Sequence, residues 1–152
     1  MTEDKMTTEQ FNPLAILPIA LGALVVGALF MPWISFFVTA SGLDLIRAGV
    51  ELEIQNSWMI AIPAAIGIVT IIVSVTRAEP LLYGIPAIGV LGVMAYKLLA
   101  LGKEMGASLS DVGDIIEISS ELFKVGVFST IVSLLGLFIV SIAYRRALKA
   151  SV

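Results

Sequence analysis

Neither cysteine nor histidine occurs in this chain of 152 residues. Without cysteine there is no disulfide framework and no thiolate cluster. Without histidine the commonest metal ligand and the usual ligand of haem iron are missing. No cofactor or metal is expected, and an electron-transfer role is disfavoured. The GxSxG, HExxH, P-loop and dinucleotide patterns are absent too. Serine–lysine catalysis would need Ser35 or Ser57 beside Lys97 in one pocket. The chain reads as non-enzymatic. Nine basic residues against twelve acidic ones give a net charge of −3, which argues against a nucleic-acid partner.

Charge itself is scarce. Charged residues make up 14% of the chain and hydrophobic ones 59%, with a mean hydropathy of +1.04. A soluble domain carries about 25% charged residues. No charge falls between Glu9 and Asp44, Glu53 and Arg77, Glu79 and Lys97, or Lys124 and Arg145. A membrane span needs roughly 20 apolar residues, so four gaps predict four spans, at about 13–37, 57–75, 81–101 and 123–144. Lipid cannot satisfy backbone N–H and C=O groups, which makes helices the default. The predicted fold is an all-α membrane protein, a four-transmembrane-helix bundle in a single domain over 13–144. It is flanked by a tail at 1–12 and a basic tail at 145–152. The first run is too long, and its leading segment too acidic, for a cleaved signal peptide.

Cations favour the cytoplasmic face. Arg145, Arg146 and Lys149 have no neighbouring acid, so the C-terminal end is read as cytoplasmic. Four spans then put the N-terminal end, with Lys5, and the turn at Arg77 on the same side. Arg47, Lys103, Lys124 and Lys97 fall on the outer side. The predicted localisation is a multi-pass protein of the cell membrane with both ends inside. The bilayer is the first partner, and a second copy or a larger membrane complex the next.

Small residues let helices approach in lipid. Ala23 and Gly27 are four apart in the first span, and Ala61 and Ala65 in the second. Gly126, Ser129, Ser133 and Gly136 fall on one face of the fourth and are the candidate helix-packing residues. Pro63 and Pro86 read as breaks in the second and third spans. Trp33 and Trp58 read as interfacial belt residues. Lys97 is the candidate polar site. The plainer reading is a side chain snorkelling to the headgroups; the alternative pairs it with Asp44 or Glu51. A pore reading would line a water path with Ser129, Ser133 and Tyr96.

Two outer segments, 38–56 and 102–122, hold most of the remaining polarity and form a small extracytoplasmic cap. Ser41-Gly-Leu-Asp44 has the outline of a capping box. It predicts a short helix from about Gly42 to Ala48, stopped by Gly49. Val50–Gln55 then alternates like a half-buried strand, for which Ser35–Ala40 is the nearest partner in a β-hairpin. One continuous surface helix fits as well, since Ile46, Val50 and Ile54 are four apart. Leu43, Asp44, Leu45, Arg47, Leu52 and Ile54 are the candidate partner contacts. In the second segment Asp111, Asp114, Glu117, Glu121 and Lys124 make one helical stripe. This predicts that the fourth helix starts near Ser110 or Asp111. A solvated face is the plainer reading, and a hard-cation site the sharper one.

PWISFF followed by SGLDLI resembles small prokaryotic four-span proteins in which Pro-Trp closes the first helix and a Ser-Gly-Leu-Asp-like loop follows. The layout is also loosely similar to claudin-type tetraspans. The Gly-Leu-Trp and paired loop cysteines of that family are absent here. The resemblance implies the topology and no activity. What remains is a structural, accessory or assembly subunit acting through helix packing and its outer loops, with a small transporter or channel component as the alternative.

Overall fold

The computed structural model describes residues 13–35, 39–53, 55–104, 113, 117 and 123–152. The described residues form five α-helices, a 3-10 helix and one two-stranded sheet. The helices are α1 (Pro13–Ala28), α2 (Gly42–Glu51), α3 (Ile62–Val75), α4 (Leu81–Glu104) and α5 (Val125–Ala150). The strands are β1 (Pro32–Ser35) and β2 (Thr39–Ser41). Residues 1–12, Ile54 and the acidic positions Asp111, Asp114 and Glu121 lie outside the described set, so the readings made for them are not addressed.

α1 ends earlier than its hydropathy predicts. The apolar run continues to Phe37, yet the helix stops at Ala28. Its final carbonyls are taken by tightened turns: the N–H groups of Leu29, Phe30 and Met31 donate to Val26, Gly27 and Ala28 at 3.2, 3.0 and 3.1 Å. Pro32 cannot extend a helix, because its ring blocks the preceding turn and it brings no N–H. The chain becomes β1 instead, antiparallel to β2, with Ile34 opposite Ala40 and a bulge between Pro32 and Ile34. The residue in the bulge is Trp33.

α2 begins with both halves of the capping box. The Asp44 N–H donates to Ser41 Oγ at 3.2 Å, and the Ser41 N–H donates to Asp44 Oδ2 at 3.0 Å. The helix passes through Gly49 and ends at Glu51. The predicted stop at Gly49 is therefore corrected, and so is the predicted strand from Val50, since Val50 and Glu51 are helical and Leu52 and Glu53 form a turn. Gly49 serves a contact: a Cβ there would run into the Ser57 side chain. Ser57 opens the 3-10 helix Ser57–Ala61, which leads straight into α3. Left-handed backbone at Glu53 and Asn56, φ 51° and 67°, reverses the chain between the two.

Pro63 proves to be no break. It sits in the first turn of α3, after the 3-10 segment, where a missing N–H costs nothing. α3 closes in a Schellman motif: the Ala78 N–H donates to Val73 O at 3.0 Å and the Arg77 N–H to Ser74 O at 3.3 Å. Arg77, with φ 54°, occupies the left-handed position that glycine usually fills. α5 begins at Val125, because Lys124 is extended and its N–H donates to Trp33 O at 2.9 Å. Phe123 bridges to Ile34. A helix running unbroken from Ser110 is therefore ruled out. At its other end α5 carries the predicted basic tail as helix to Ala150.

α1, α3, α4 and α5 pack as a ring, α1 on α3 and α5, and α4 on α5 and α3. The core they enclose contains Val25, Ile66, Val73, Tyr83, Ala87, Leu134 and Leu137. Two buried threonine hydroxyls turn back onto their own helices, while those of Tyr83 and Ser133 make no hydrogen bond among the described residues. Thr70 donates to Ile66 O and Thr130 to Gly126 O, each at 2.8 Å. The ring closes most tightly between α1 and α3. A Cβ on Gly22 would lie 2.8 Å from Gly67 O, and one on Gly67 2.6 Å from Gly22 O. The small residues singled out from spacing, Ala23, Gly27 and Ala65, do not make this contact: Ala23 and Ala65 are exposed, and a Cβ on Gly27 would meet nothing.

Two helical segments are long and apolar enough to cross a membrane: Ser57–Val75, 19 residues, and Val125–Ala150, 26 residues. Pro13–Ala28 and Leu81–Lys97 are apolar but shorter.

Candidate functional site

The hairpin and α2 form a cap over one end of the ring, and Trp33 fastens it. Trp33 is 7% exposed, so its reading as a belt residue is corrected. Its indole N–H donates to Ala28 O at 2.7 Å, the carbonyl at the end of α1 that also accepts the Met31 N–H. The ring lies against two glycines. A Cβ on Gly126 would collide with the indole and with Pro32 O, and one on Gly42 would come within 3.0 Å of the indole and of Leu29. The Leu43 N–H adds a bond to Leu29 O at 3.0 Å. One side chain thus ties α1, α2 and α5 together. The bulge that aims it inward arises from strand pairing, which hydropathy does not report. Trp58, by contrast, is 59% exposed.

The candidate partner contacts divide by exposure. Leu43 and Leu45 are half-buried, while Asp44 and Arg47 are exposed. Leu52 and Val50 stand out from the end of α2, 71% and 66% exposed. The Asp44 carboxylate also accepts the Ser41 hydroxyl at 2.7 Å. That bond, with the Ser41 backbone N–H, holds the Asp44 carboxyl below the usual carboxylate range, and Arg47 adds a smaller effect of the same sign.

The candidate helix-packing residues also divide. Gly126 meets Trp33, and Gly136 faces Leu21 of α1, where a Cβ would sit 3.1 Å from the nearer methyl. Ser133 is fully buried, and Ser129 only half-buried. Tyr96 is 69% exposed on α4. Ser133 and Tyr96 therefore share no common lining.

Lys97 lies at a cavity of about 490 Å³ that separates the cap-end halves of α3 and α4. Met59, Ile60, Ile62 and Pro63 form its wall on the α3 side, and Val90, Val93 and Met94 its wall on α4. Trp33, Phe123 and Val127 close the back, and Gln55 and Asn56 flank it near the cap. Among the described residues Lys97 is the cavity's only charged lining group, and neither Ser35 nor Ser57 reaches it. No ion pair joins Lys97 to Asp44 or Glu51; the pair found among the described residues is Arg145 with Glu79, 3.0 Å apart at the opposite end. Among those residues no group of three or more acidic side chains is placed to hold a metal ion.

No family model matches this chain, and no curated protein or solved structure is detectably similar to it.

Proposed function

We propose that this chain is a four-span integral membrane protein with both ends in the cytoplasm, a non-enzymatic accessory or assembly subunit that engages its partner through the cap. The observation that supports the membrane reading most strongly is the outer surface of the ring. Ile68, Val69, Ile72 and Val75 of α3, Leu82, Ile85 and Val93 of α4, and Val132, Leu135 and Ile139 of α5 all project outward. The buried positions include Ala28, Ala64, Ala87, Thr70, Thr130 and Ser133. Large apolar side chains outside, with alanines and hydroxyls buried beside the larger core residues Ile66, Tyr83, Leu134 and Leu137, suit lipid, where close helix approach rather than core hydrophobicity drives association. In water these side chains would be left facing solvent on α3, α4 and α5, whereas soluble monomers rarely expose large contiguous apolar patches.

The other two helices of the ring fit the same reading. α4 continues past Lys97 to Glu104, and 24 residues span about 36 Å at 1.5 Å each. α1 covers about 24 Å on the same scale, and its turn to Met31 adds to that. Arg77, Arg145, Arg146 and Lys149 gather at the end away from the cap, which favours a cytoplasmic placement for that end.

The accessory role draws on Val50 and Leu52, exposed at the end of a helix fixed by its cap and by the Gly49–Ser57 contact. After gentle extraction from the native membrane, the particle should be heteromeric, and Leu52→Glu should release the partner while leaving the helical content intact. A lone 16.1 kDa chain would overturn the reading. Transport is the second reading, carried by the cleft at Lys97. The full burial of Ser133 and the outward position of Tyr96 weigh against a water path between them.

A further inference from the structure

We propose that the cleft between the cap-end halves of α3 and α4 holds one acyl chain of an anionic phospholipid, with Lys97 taking its phosphate. The inference rests on the membrane reading above and adds a ligand to it. Three observations carry it.

The first is shape and lining. The cleft's volume, about 490 Å³, falls in the range of about 300–1,000 Å³ typical of ligand sites. Its walls are apolar, and two of them are Met59 and Met94. Unbranched thioether side chains adapt to an irregular, mobile chain better than branched ones do. Such a space between membrane helices does not stay empty.

The second is depth. Lys97 stands 16 residues above the start of α4 at Leu81, about 24 Å along the axis. With Leu81 at the lower edge of a hydrocarbon core of about 30 Å, that is about 6 Å short of the upper edge, a distance the long lysine stem covers to reach the headgroup phosphates. Trp58, exposed on the 3-10 helix that leads into α3, is a second interfacial residue at the cap end.

The third is charge. Lys97 is the single charged group among the described lining residues, and the amides of Gln55 and Asn56 line the same cleft. An ammonium with three donors and no carboxylate among the described lining residues suits an anionic phosphodiester head better than a zwitterionic one that carries its own cation.

The test uses the full chain purified in mild detergent and examined by native mass spectrometry. Phosphatidylglycerol and phosphatidylcholine of identical acyl chains are supplied in turn. One phosphatidylglycerol should remain per chain, preferred roughly fivefold, as one lysine at an anionic surface implies. Lys97→Ala should bring the two lipids to parity, and Lys97→Arg should keep the preference. Val93→Trp, which fills the cleft from a residue outside the core, should lower retention of both. Equal retention of the two lipids by the unaltered chain overturns the proposal. So does retention that Val93→Trp leaves unchanged, since the lipid would then sit elsewhere or residues 105–122 would fill the cleft. Flotation with vesicles after a carbonate wash separates the two readings. A chain that fails to float sinks the membrane reading itself; a chain that floats but keeps no phosphatidylglycerol sinks only the cleft.

Discussion

α3 has two neighbours, and its two seams are opposites. Toward α1 the backbones touch through Gly22 and Gly67, each carbonyl standing where the other residue's Cβ would go. Toward α4 the cap-end halves part around a cavity lined by Met59, Val90, Val93 and Met94. Both seams are built from apolar helices. The difference lies in side-chain volume at the crossing. Two facing glycines let the helices come as near as backbone allows, and each atom in the seam finds a partner. Bulkier residues that do not interdigitate hold the other pair apart. In lipid the hydrophobic effect does not force such a gap shut, because an acyl chain fills it as well as a leucine does.

The contrast can be broken from the closed side. Gly67→Leu should cost more than about 3 kcal/mol, because the added atoms meet main chain that cannot yield. A fall in the midpoint of thermal or denaturant unfolding in detergent would register it, and a near-neutral result would mean the helices are not so close. Gly126→Ala should come next, at about 1–3 kcal/mol by the same overpacking argument. Its Cβ meets Trp33, so indole fluorescence should shift red as the ring is pushed toward solvent.

Smaller changes test the cap, which leans on the start of α3 through Gly49 and Ser57. Ser41→Ala removes the N-cap and should cost about 1 kcal/mol. The effect should depend on pH with a definite sign. The Asp44 carboxyl is held below its ordinary value by Ser41. Its stabilising contribution is therefore present above the ordinary carboxylate pKa and lost as pH falls through the lowered one. The gap between the parent chain and Ser41→Ala should narrow in that acid range, and a gap that stays constant would remove the carboxylate from the account. The smallest effect is expected in the open seam. Val93→Ala, at a residue 48% exposed on the cleft wall, should stay within about 0.5 kcal/mol. A loss near that of a core residue would mean the cleft is shut.

What the sequence made legible was whatever depends on neighbours along the chain. Gaps between charges located the helical stretches. Ser41 and Asp44 announced the α2 cap, because a capping box is complete within four residues. Counting from the charge gap placed Lys97 on the helix that α4 forms. What failed to show depends on pairing at a distance. Pro32–Ser35 lies within the predicted first span, and only the ladder between β1 and β2, with its bulge at Trp33, makes it a strand. Lys124 is extended because its N–H reaches Trp33 O, so the acidic stripe could not announce where α5 begins. Gly22 and Gly67 looked no different from Gly27, Gly89 or Gly92, which have open space around the missing Cβ. Spacing alone does not say how each helix is rotated. The cavity has no linear signature, since its wall draws on residues from 33 to 127.

The reciprocal contact at Gly22 and Gly67 also has a historical side. Whichever residue first gains a methyl group pushes the two helices apart, and the other then sits in the space that opens. The second substitution should be nearly free once the first is made, so the costs do not add. In a lineage descended from this chain the two positions should behave as a single inherited character. They would be kept as glycine together while the seam is closed, and would drift together soon after either is lost.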